Sequence, residues 1–417
     1  MYRKLVLDNG LRVVTERMPA LKSVTVGIWV NVGSRDECTG EEGLSHFIEH
    51  MFFKGTRSRT ATQISREIDA LGGEMNAFTS RETTTFYVKV LDQQLTPALT
   101  LLSDLFHHSR FDSRDVEKEK QVVIEEIRMV QDDPEDLVQE LHAQHTLLLH
   151  PLGRSILGSV GAIQRLRRGD LLRYIQAHYH PLQTVITVAG NFDLKRLGPA
   201  IEAKFGTWRQ PAWPRVNRWP PKINGGLRVR KKRLEQAHLC LGVPGIPLAH
   251  KDRYAAHALN ALLGGSVSSR LFQEIREKRG LAYSIYSYLS SFSDGGALTV
   301  YAATRPAEAA RVVELICKEI KRLRAKGMDR RDLDRVKNQM KGSLMLSLES
   351  THSRMSKLAK DELYEGRHVS LDEMMAEIDR VSLAQVLRLS GELFDTDKLA
   401  LTGLGPISER SLDMALG

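Results

Sequence analysis

Two histidines and a glutamate lie within five consecutive residues, in the order His46, Glu49, His50. On a helix, residues four apart share one face, so both imidazoles can offer a ring nitrogen to one metal ion. Glu49 lies on the same flank, with the reach of a carboxylate that deprotonates a metal-bound water instead of binding the metal. The spacing predicts a catalytic metal site that needs a third ligand from another element.

The alternative is that both histidines are hydrogen-bonded core residues. The neighbouring positions Phe47, Ile48 and 51–53 are apolar, so we expect this helix to be buried nearly all round. Burial of two imidazoles and a carboxylate is costly unless they are bonded or bind a metal, which favours the metal site.

A second helix is expected to supply the third ligand. Residues 115–130 have an amphipathic pattern, and Glu119 and Glu126 are seven apart, so they stack on one face beside Val122 and Val123. Carboxylates on the apolar side of a helix are unusual. Periodicity alone, however, does not exclude Glu125 as the ligand.

Six segments, taken in order, resemble the pitrilysin-type inverted zincin metallopeptidases, in particular the mitochondrial-processing-peptidase-like branch with its bacterial relatives. They are 7–13, 33–37, 42–56, 76–79, 150–154 and 269–283. The resemblance implies one Zn²⁺ per chain, held by His46, His50 and Glu126, with Glu49 as the general base on the zinc-bound water. It also implies a supporting catalytic-site role for Glu119, whose alternative is to pair with a nearby Arg or Lys.

The resemblance further implies that the active site is shared. Arg276 and Tyr283 match an Arg and a Tyr that, in larger fused members, reach the scissile bond from the second half-molecule and stabilise the oxyanion. This chain corresponds to one half-molecule, or half of a clamshell chamber. We therefore expect a dimer with an identical or paralogous chain, in which Arg276 and Tyr283 act on the partner's zinc site.

Substrate contacts are implied at two places. Asn76, Ala77 and Phe78 match an edge to which the peptide adds as a further strand, although an ordinary hairpin turn is the alternative. Asp136 and Glu140 match acidic positions that hold an arginine just before the cleavage site. Their alternative role is that of charges at a helix start.

The chain is predicted to fold as two duplicated α+β domains, each a mainly antiparallel sheet packed with helices. Its 417 residues exceed one ordinary core, and strand and helix patterns recur on either side of a segment rich in Pro, Gly and Trp. The predicted parts are an N-terminal catalytic zinc-binding domain (1–207), a linker (208–226) and a C-terminal domain without metal (227–417). In the second half, Ala255, Ala258 and Leu259 align with the metal-site residues of the first helix, so the fold does not require those polar groups.

Composition narrows the class of protein. With 42% hydrophobic and 27% charged residues and no long apolar run, a soluble protein without a membrane span is expected. The net charge of +9 is dispersed and predicts no nucleic-acid partner. Three widely spaced cysteines and the absence of a signal-like start predict a reducing cytoplasm. The resemblance to bacterial relatives implies that this cytoplasm is bacterial.

Two functions fit this pattern. The first is a zinc metalloendopeptidase that hydrolyses peptides or unfolded polypeptide segments inside a dimer chamber. The second is a catalytically silent scaffold or regulatory subunit of the same fold. The intact set of His46, Glu49, His50, Glu119 and Glu126 favours the enzyme.

Overall fold

The computed structural model describes residues 1–209, 218–395 and 398–416, so residues 210–217 of the predicted linker lie outside the described residues. The strands are β1 Tyr2–Val6, β2 Arg12–Arg17, β3 Ser23–Val30, β4 Glu74–Thr79, β5 Thr84–Leu91, β6 Thr184–Gly190, β7 Gly226–Arg230, β8 Ala237–Gly245, β9 Ala282–Ser291, β10 Gly296–Thr304 and β11 Ala400–Leu404. The α-helices are α1 Leu44–Phe52, α2 Ala61–Ala70, α3 Leu95–His108, α4 Ser113–Asp132, α5 Pro134–Thr146, α6 Val160–Arg165, α7 Arg168–His178, α8 Leu194–Phe205, α9 Arg253–Leu263, α10 Ala309–Lys326, α11 Arg330–Ser347, α12 Thr351–Lys360, α13 Leu371–Arg380, α14 Leu383–Leu393 and α15 Glu409–Leu416.

The two sheets repeat one topology. The first has the order β1-β2-β6-β3-β5-β4, and the second has the order β7-β11-β8-β10-β9. Without β1, the two orders correspond strand for strand. In each sheet one neighbouring pair is parallel, β2 with β6 and β11 with β7, and the other pairs are antiparallel. The predicted duplicated α+β architecture with mainly antiparallel sheets is confirmed.

Central strands of both sheets are apolar on both faces. Strand β3 is buried from Val24 to Val30, and every residue of β6 is buried. Strands buried on two sides need helices on both faces, because apolar surface left in water costs free energy. On one face of the first sheet, α1, α3 and α4 contribute to the main core. On one face of the second sheet, α9, α10 and α14 do the same.

The opposite face of each sheet is covered by a helix from the other half of the sequence. On the first sheet, Met355 and Leu358 of α12 pack with Val14, Trp29 and Val185. On the second sheet, Leu137 and Val138 of α5 pack with Cys240, Tyr301 and Leu404.

Two compact units result, and neither is continuous in sequence. Unit 1 comprises 1–128, 154–218 and 346–368, and unit 2 comprises 129–153, 219–345 and 369–417. The predicted domains 1–207 and 227–417 each contain one sheet, but the units differ from them by the exchange of 129–153 and 346–368. The units also divide the predicted linker 208–226 between Arg218 and Trp219, and β7 begins at its last residue, Gly226. Among the described helices, none combines the length and the hydropathy that crossing a membrane requires.

Candidate metal centre

Helix α1 carries His46, Glu49 and His50, and its start is fixed by a glycine. Gly43 has φ +91°, and a Cβ there would lie 2.5 Å from the carbonyl oxygen of Leu157. The apolar face of α1 is fully buried in the core of unit 1 through Leu44, Phe47, Ile48 and Met51. The side chains of His46 and His50 lie outside this apolar face and keep some access to solvent, with 13% and 18% of their surface exposed.

A buried carboxylate also anchors this helix start. The two oxygens of Glu37 accept hydrogen bonds from the backbone N–H groups of Gly43 (2.9 Å) and Ser45 (2.8 Å). These amides have no partner within the helix. Burial raises the pKa of Glu37 to about 8, although the hydrogen bonds from Ser45 and Gly43 lower it in part. The neighbouring Asp36 receives two hydrogen bonds from Arg218, at 2.8 and 2.7 Å. The segment 33–37 thus holds α1 in place.

The third donor comes from α4. Oε2 of Glu126 lies 3.8 Å from Nε2 of His46 and 3.5 Å from Nε2 of His50. Glu125, which the sequence left open as the ligand, faces solvent and pairs with Arg128 at 2.5 Å. Within the described part of the chain, His46, His50 and Glu126 form the one cluster of three metal-ligating side chains whose donor atoms all lie within 4.8 Å of one another.

This group fits a zinc ion. Two imidazole nitrogens and a carboxylate are typical ligands of catalytic zinc, and donors about 2.1 Å from a tetrahedral ion lie about 3.4 Å from one another. The observed separations of 3.5 and 3.8 Å are close to that value. Oε2 of Glu126 is also inaccessible to solvent and accepts no hydrogen bond from the described residues, as expected of an atom that binds a cation.

A hydrogen-bonded chain fixes the second histidine. Nδ1 of His50 lies 2.8 Å from Oε1 of Glu119, whose side chain is only 4% exposed. The other oxygen of Glu119 accepts from Lys54 at 2.6 Å. A carboxylate on Nδ1 selects the tautomer that leaves Nε2 free to bind a metal.

The electrostatics of the two histidines differ. Burial, together with the neighbouring His50, lowers the pKa of His46 to about 4, so this imidazole is neutral at physiological pH, as a metal ligand must be. Burial also opposes charge on His50, but the hydrogen bond with Glu119 and the nearby carboxylates outweigh it and raise the pKa. For Glu119, burial is outweighed by the hydrogen bonds from His50 and Lys54, which lower the pKa.

Glu49 is oriented by the end of a strand. The hydroxyl of Thr79, the last residue of β4, donates to Oε2 of Glu49 at 2.6 Å. Burial raises the pKa of Glu49, and the bond from Thr79 lowers it in part. A carboxylate with a raised pKa beside the three candidate metal ligands is suited to accept and return a proton.

Strand β4 itself lies at the edge of the first sheet. It contains Asn76, Ala77 and Phe78 and pairs with β5, and no other described strand pairs with it. Asn76 is exposed, and its Oδ1 accepts a hydrogen bond from the N–H of Ala77 at 2.8 Å. An added peptide strand would compete with this side chain for the amide.

Arg276 and Tyr283 belong to unit 2. Arg276 lies in a π-helical segment, Phe272–Glu277, and its guanidinium stacks on the rings of Phe272 (4.8 Å) and Tyr283 (5.7 Å). Tyr283 is the second residue of β9 and is 77% exposed. The two residues are therefore close to each other in unit 2, whereas the three candidate metal ligands belong to unit 1.

Asp136 and Glu140 also belong to unit 2, on α5. The preceding Asp133 caps this helix by accepting hydrogen bonds from the N–H groups of Glu135 and Asp136, at 2.8 and 3.1 Å. Asp136 is exposed, and some burial plus the charges of Asp133 and Glu135 raise the pKa of its carboxyl. This site and the metal group are formed by different units.

Three polar contacts of the site were not foreseen from sequence. Lys54, Thr79 and Glu37 all lie inside segments that carry the resemblance, but no role was assigned to any of them. For Lys54 a signal existed, because it follows His50 by four residues and continues the spacing that joins His46 to His50. The contacts of Thr79 and Glu37 depend on how the sheet and a loop meet α1, which local spacing does not reveal.

Comparison with known proteins gives the same family over most of the chain. Residues 12–160 match the model described as insulinase (peptidase family M16), and residues 165–340 match the peptidase M16 inactive domain. A protein of Bacillus subtilis named uncharacterized zinc protease YmxG is 43% identical over 97% of this chain and 98% of its own length. An uncharacterized zinc protease of Streptomyces coelicolor is 39% identical over 98% of this chain and 90% of its own length.

A solved structure extends the likeness to the fold. The crystal structure of a protease from Helicobacter pylori superposes with a TM-score of 0.92, at 23% identity, over 97% of this chain and 99% of that one. In unit 2, the second-half residues Ala255, Ala258 and Leu259 are fully buried in an apolar core, which agrees with the match of this half to a domain described as inactive. The chain belongs to the M16 family of pitrilysin-type peptidases.

Proposed function

We propose that the protein is a zinc metalloendopeptidase that cleaves peptides or unfolded polypeptide segments. One observation carries the proposal: Oε2 of Glu126 is buried and accepts no hydrogen bond from the described residues, yet it lies 3.8 and 3.5 Å from the Nε2 atoms of His46 and His50. A carboxylate oxygen that converges with two imidazole nitrogens in this way provides the donor set of a catalytic zinc site. The zinc protease names of relatives that match nearly full length support the same reaction class.

His46, His50 and Glu126 would hold the zinc. When bound, zinc polarises the peptide carbonyl and lowers the pKa of the attacking water. Glu49 takes the proton from that water as the carbon–oxygen bond forms, and delivers it to the departing amine nitrogen as the peptide bond breaks. Thr79 holds one oxygen of Glu49, so the other is available for this transfer. Glu119 orients His50.

The substrate would add to the open edge of β4. Extended peptides bind such edges through main-chain hydrogen bonds, and Asn76, Ala77 and Phe78 are the residues we assign to this contact. Because β4 ends at Thr79, a peptide paired along the strand is led toward Glu49. This arrangement would favour extended, unfolded substrates over folded ones.

The proposal includes a dimer whose partner completes the site. Arg276 and Tyr283 would stabilise the oxyanion in the partner chain's active site, and the exposure of Tyr283 leaves it accessible for that role. Mixed dimers of a His46→Ala chain and a Tyr283→Phe chain retain one complete site if the groups act in trans. Confirmed mixed dimers without recovered activity would refute the trans arrangement.

Specificity for basic residues before the cut is assigned to Asp136 and Glu140, which lie one turn apart on α5. Charge reversal at both positions is expected to move cleavage away from peptides that contain Arg. Unchanged cut sites in a peptide library would contradict this assignment.

The decisive experiment combines metal analysis with mass-spectrometric mapping of cuts in a peptide library. Wild-type protein is expected to contain one zinc per chain and to cleave, whereas Glu49→Gln is expected to retain zinc and lose cleavage by about 10²- to 10⁴-fold. Undiminished cleavage by Glu49→Gln would overturn the mechanism. A wild-type chain that binds zinc but cleaves nothing would favour the silent scaffold or regulatory subunit.

A further inference from the structure

We propose that Lys54 is a positioning residue of the metal centre, which acts on zinc binding through Glu119 and His50. The inference rests on the proposed zinc site. It adds the ammonium group of Lys54, which is not one of the three assigned ligands. It follows from the chain of contacts Lys54 to Glu119 to His50, with distances of 2.6 and 2.8 Å.

The position of Lys54 is set by the end of α1. The helix ends at Phe52, and the N–H of Lys54 donates to the carbonyl oxygen of Met51 at 3.2 Å. Gly55 follows with φ +114°, and its carbonyl oxygen accepts from the N–H of Arg110 at 3.1 Å. The backbone that carries Lys54 is therefore held on both sides, so its ammonium is directed at Glu119 from a fixed point.

Glu119 needs this partner because it is buried. Its side chain is 4% exposed, and each of its oxygens has one described partner, His50 for Oε1 and Lys54 for Oε2. A buried carboxylate left beside a neutral imidazole alone would be uncompensated. Without Lys54, Oε2 of Glu119 would lose its described partner, and rotation of the side chain toward water would remove the acceptor that fixes the tautomer of His50.

The arrangement of charged side chains also supports a positioning role for Lys54. Three carboxylates, Glu49, Glu119 and Glu126, lie beside the two histidines, and Glu119 is in contact with both His50 and Lys54. Lys54 contributes a full positive charge that does not bind the metal. It binds the second oxygen of Glu119 and so holds this carboxylate against His50, apart from the ligand Glu126.

The test measures zinc affinity of the full chain by competition with a chromophoric chelator. Lys54→Met is expected to weaken zinc binding by about 10- to 100-fold, the usual effect of removing a group that orients a metal ligand. Lys54→Arg, which keeps the charge, should restore most of the affinity. Lys118→Met is the matched control, because Lys118 on α4 is 79% exposed and its loss removes the same charge.

A double-mutant cycle identifies the route of the effect. If Lys54 acts through Glu119, then Lys54→Met weakens binding by less than about 2-fold in a Glu119→Gln background, because coupled residues are not additive. Full multiplication of the two effects, or wild-type affinity in Lys54→Met, would overturn the inference. Lys54→Gln gives the same comparison if the methionine variant does not fold. Failure of the wild-type chain to bind zinc would instead refute the proposed function.

Discussion

Glu126 and Glu125 are adjacent on α4, and the structure assigns them opposite roles. Glu126 points to the two histidines, with 3.5 Å to Nε2 of His50, whereas Glu125 is 62% exposed and paired with Arg128. We predict that Glu126→Gln abolishes tight zinc binding and that Glu125→Gln does not. The two substitutions are chemically identical, so any difference between them comes from position.

The magnitude follows from what Glu126 supplies. It is the one anionic member of the three-donor group, and an amide in its place offers no charge to the ion. Changes beside a metal ligand cost about 10- to 100-fold in affinity, so loss of the ligand itself should cost at least about 100-fold. At saturating zinc, a 100-fold weaker site contributes about 2.7 kcal/mol less to stability. For a unit of this size that corresponds to a Tm lower by about 5–10 °C.

The assay is thermal unfolding with zinc in excess and with zinc removed by a chelator. Wild type and Glu125→Gln should gain the same zinc-dependent increase in Tm, while Glu126→Gln should lose most of it. In the chelated state the three proteins should unfold within a few degrees of one another. Equal loss in both variants, or loss in Glu125→Gln alone, would refute the assignment of the ligand.

Three further predictions concern groups that support the site and the fold. Thr79→Val removes a hydrogen bond that lowers the pKa of Glu49, so the acid limb of kcat/KM should move to higher pH, and Thr79→Ser should reverse the change. An unmoved limb would show that Thr79 does not act on Glu49. Glu37→Gln changes the group that accepts hydrogen bonds from two amides at the start of α1. The free energy of unfolding, measured by urea titration, should fall by about 1–3 kcal/mol, and an unchanged urea midpoint would contradict the capping role. His142 is buried in unit 2, and burial, with the charge of His145, lowers its pKa to about 3, so only the unfolded chain takes up a proton there as the pH falls below about 6.5. This group should contribute about 2 kcal/mol to the loss of stability between pH 7.5 and 5, and His142→Asn should lose less stability than wild type by that amount; an equal loss in both would contradict the assignment.

The spacing of residues along the chain was sufficient to predict much of the site. The i, i+4 relation of His46 and His50 is a property of any α-helix, so the sequence predicted their common face without knowledge of the fold. The repeated order of strands and helices likewise predicted two sheets of one topology, because each half carries the same alternation of elements. The edge position of 76–78 was also expected, from the resemblance.

Tertiary structure decided the rest, since it depends on which surfaces meet. Periodicity placed both Glu125 and Glu126 within reach of a ligand role, and only the packing of α4 beside α1 separates them. The exchange of α5 and α12 between the two sheets is not visible in sequence, because an apolar helix face does not specify which sheet it will cover. In the same way, the sequence determined that Lys54 follows His50 by four residues. Only the fold brings buried Glu119 between them and so makes Lys54 a candidate part of the metal centre.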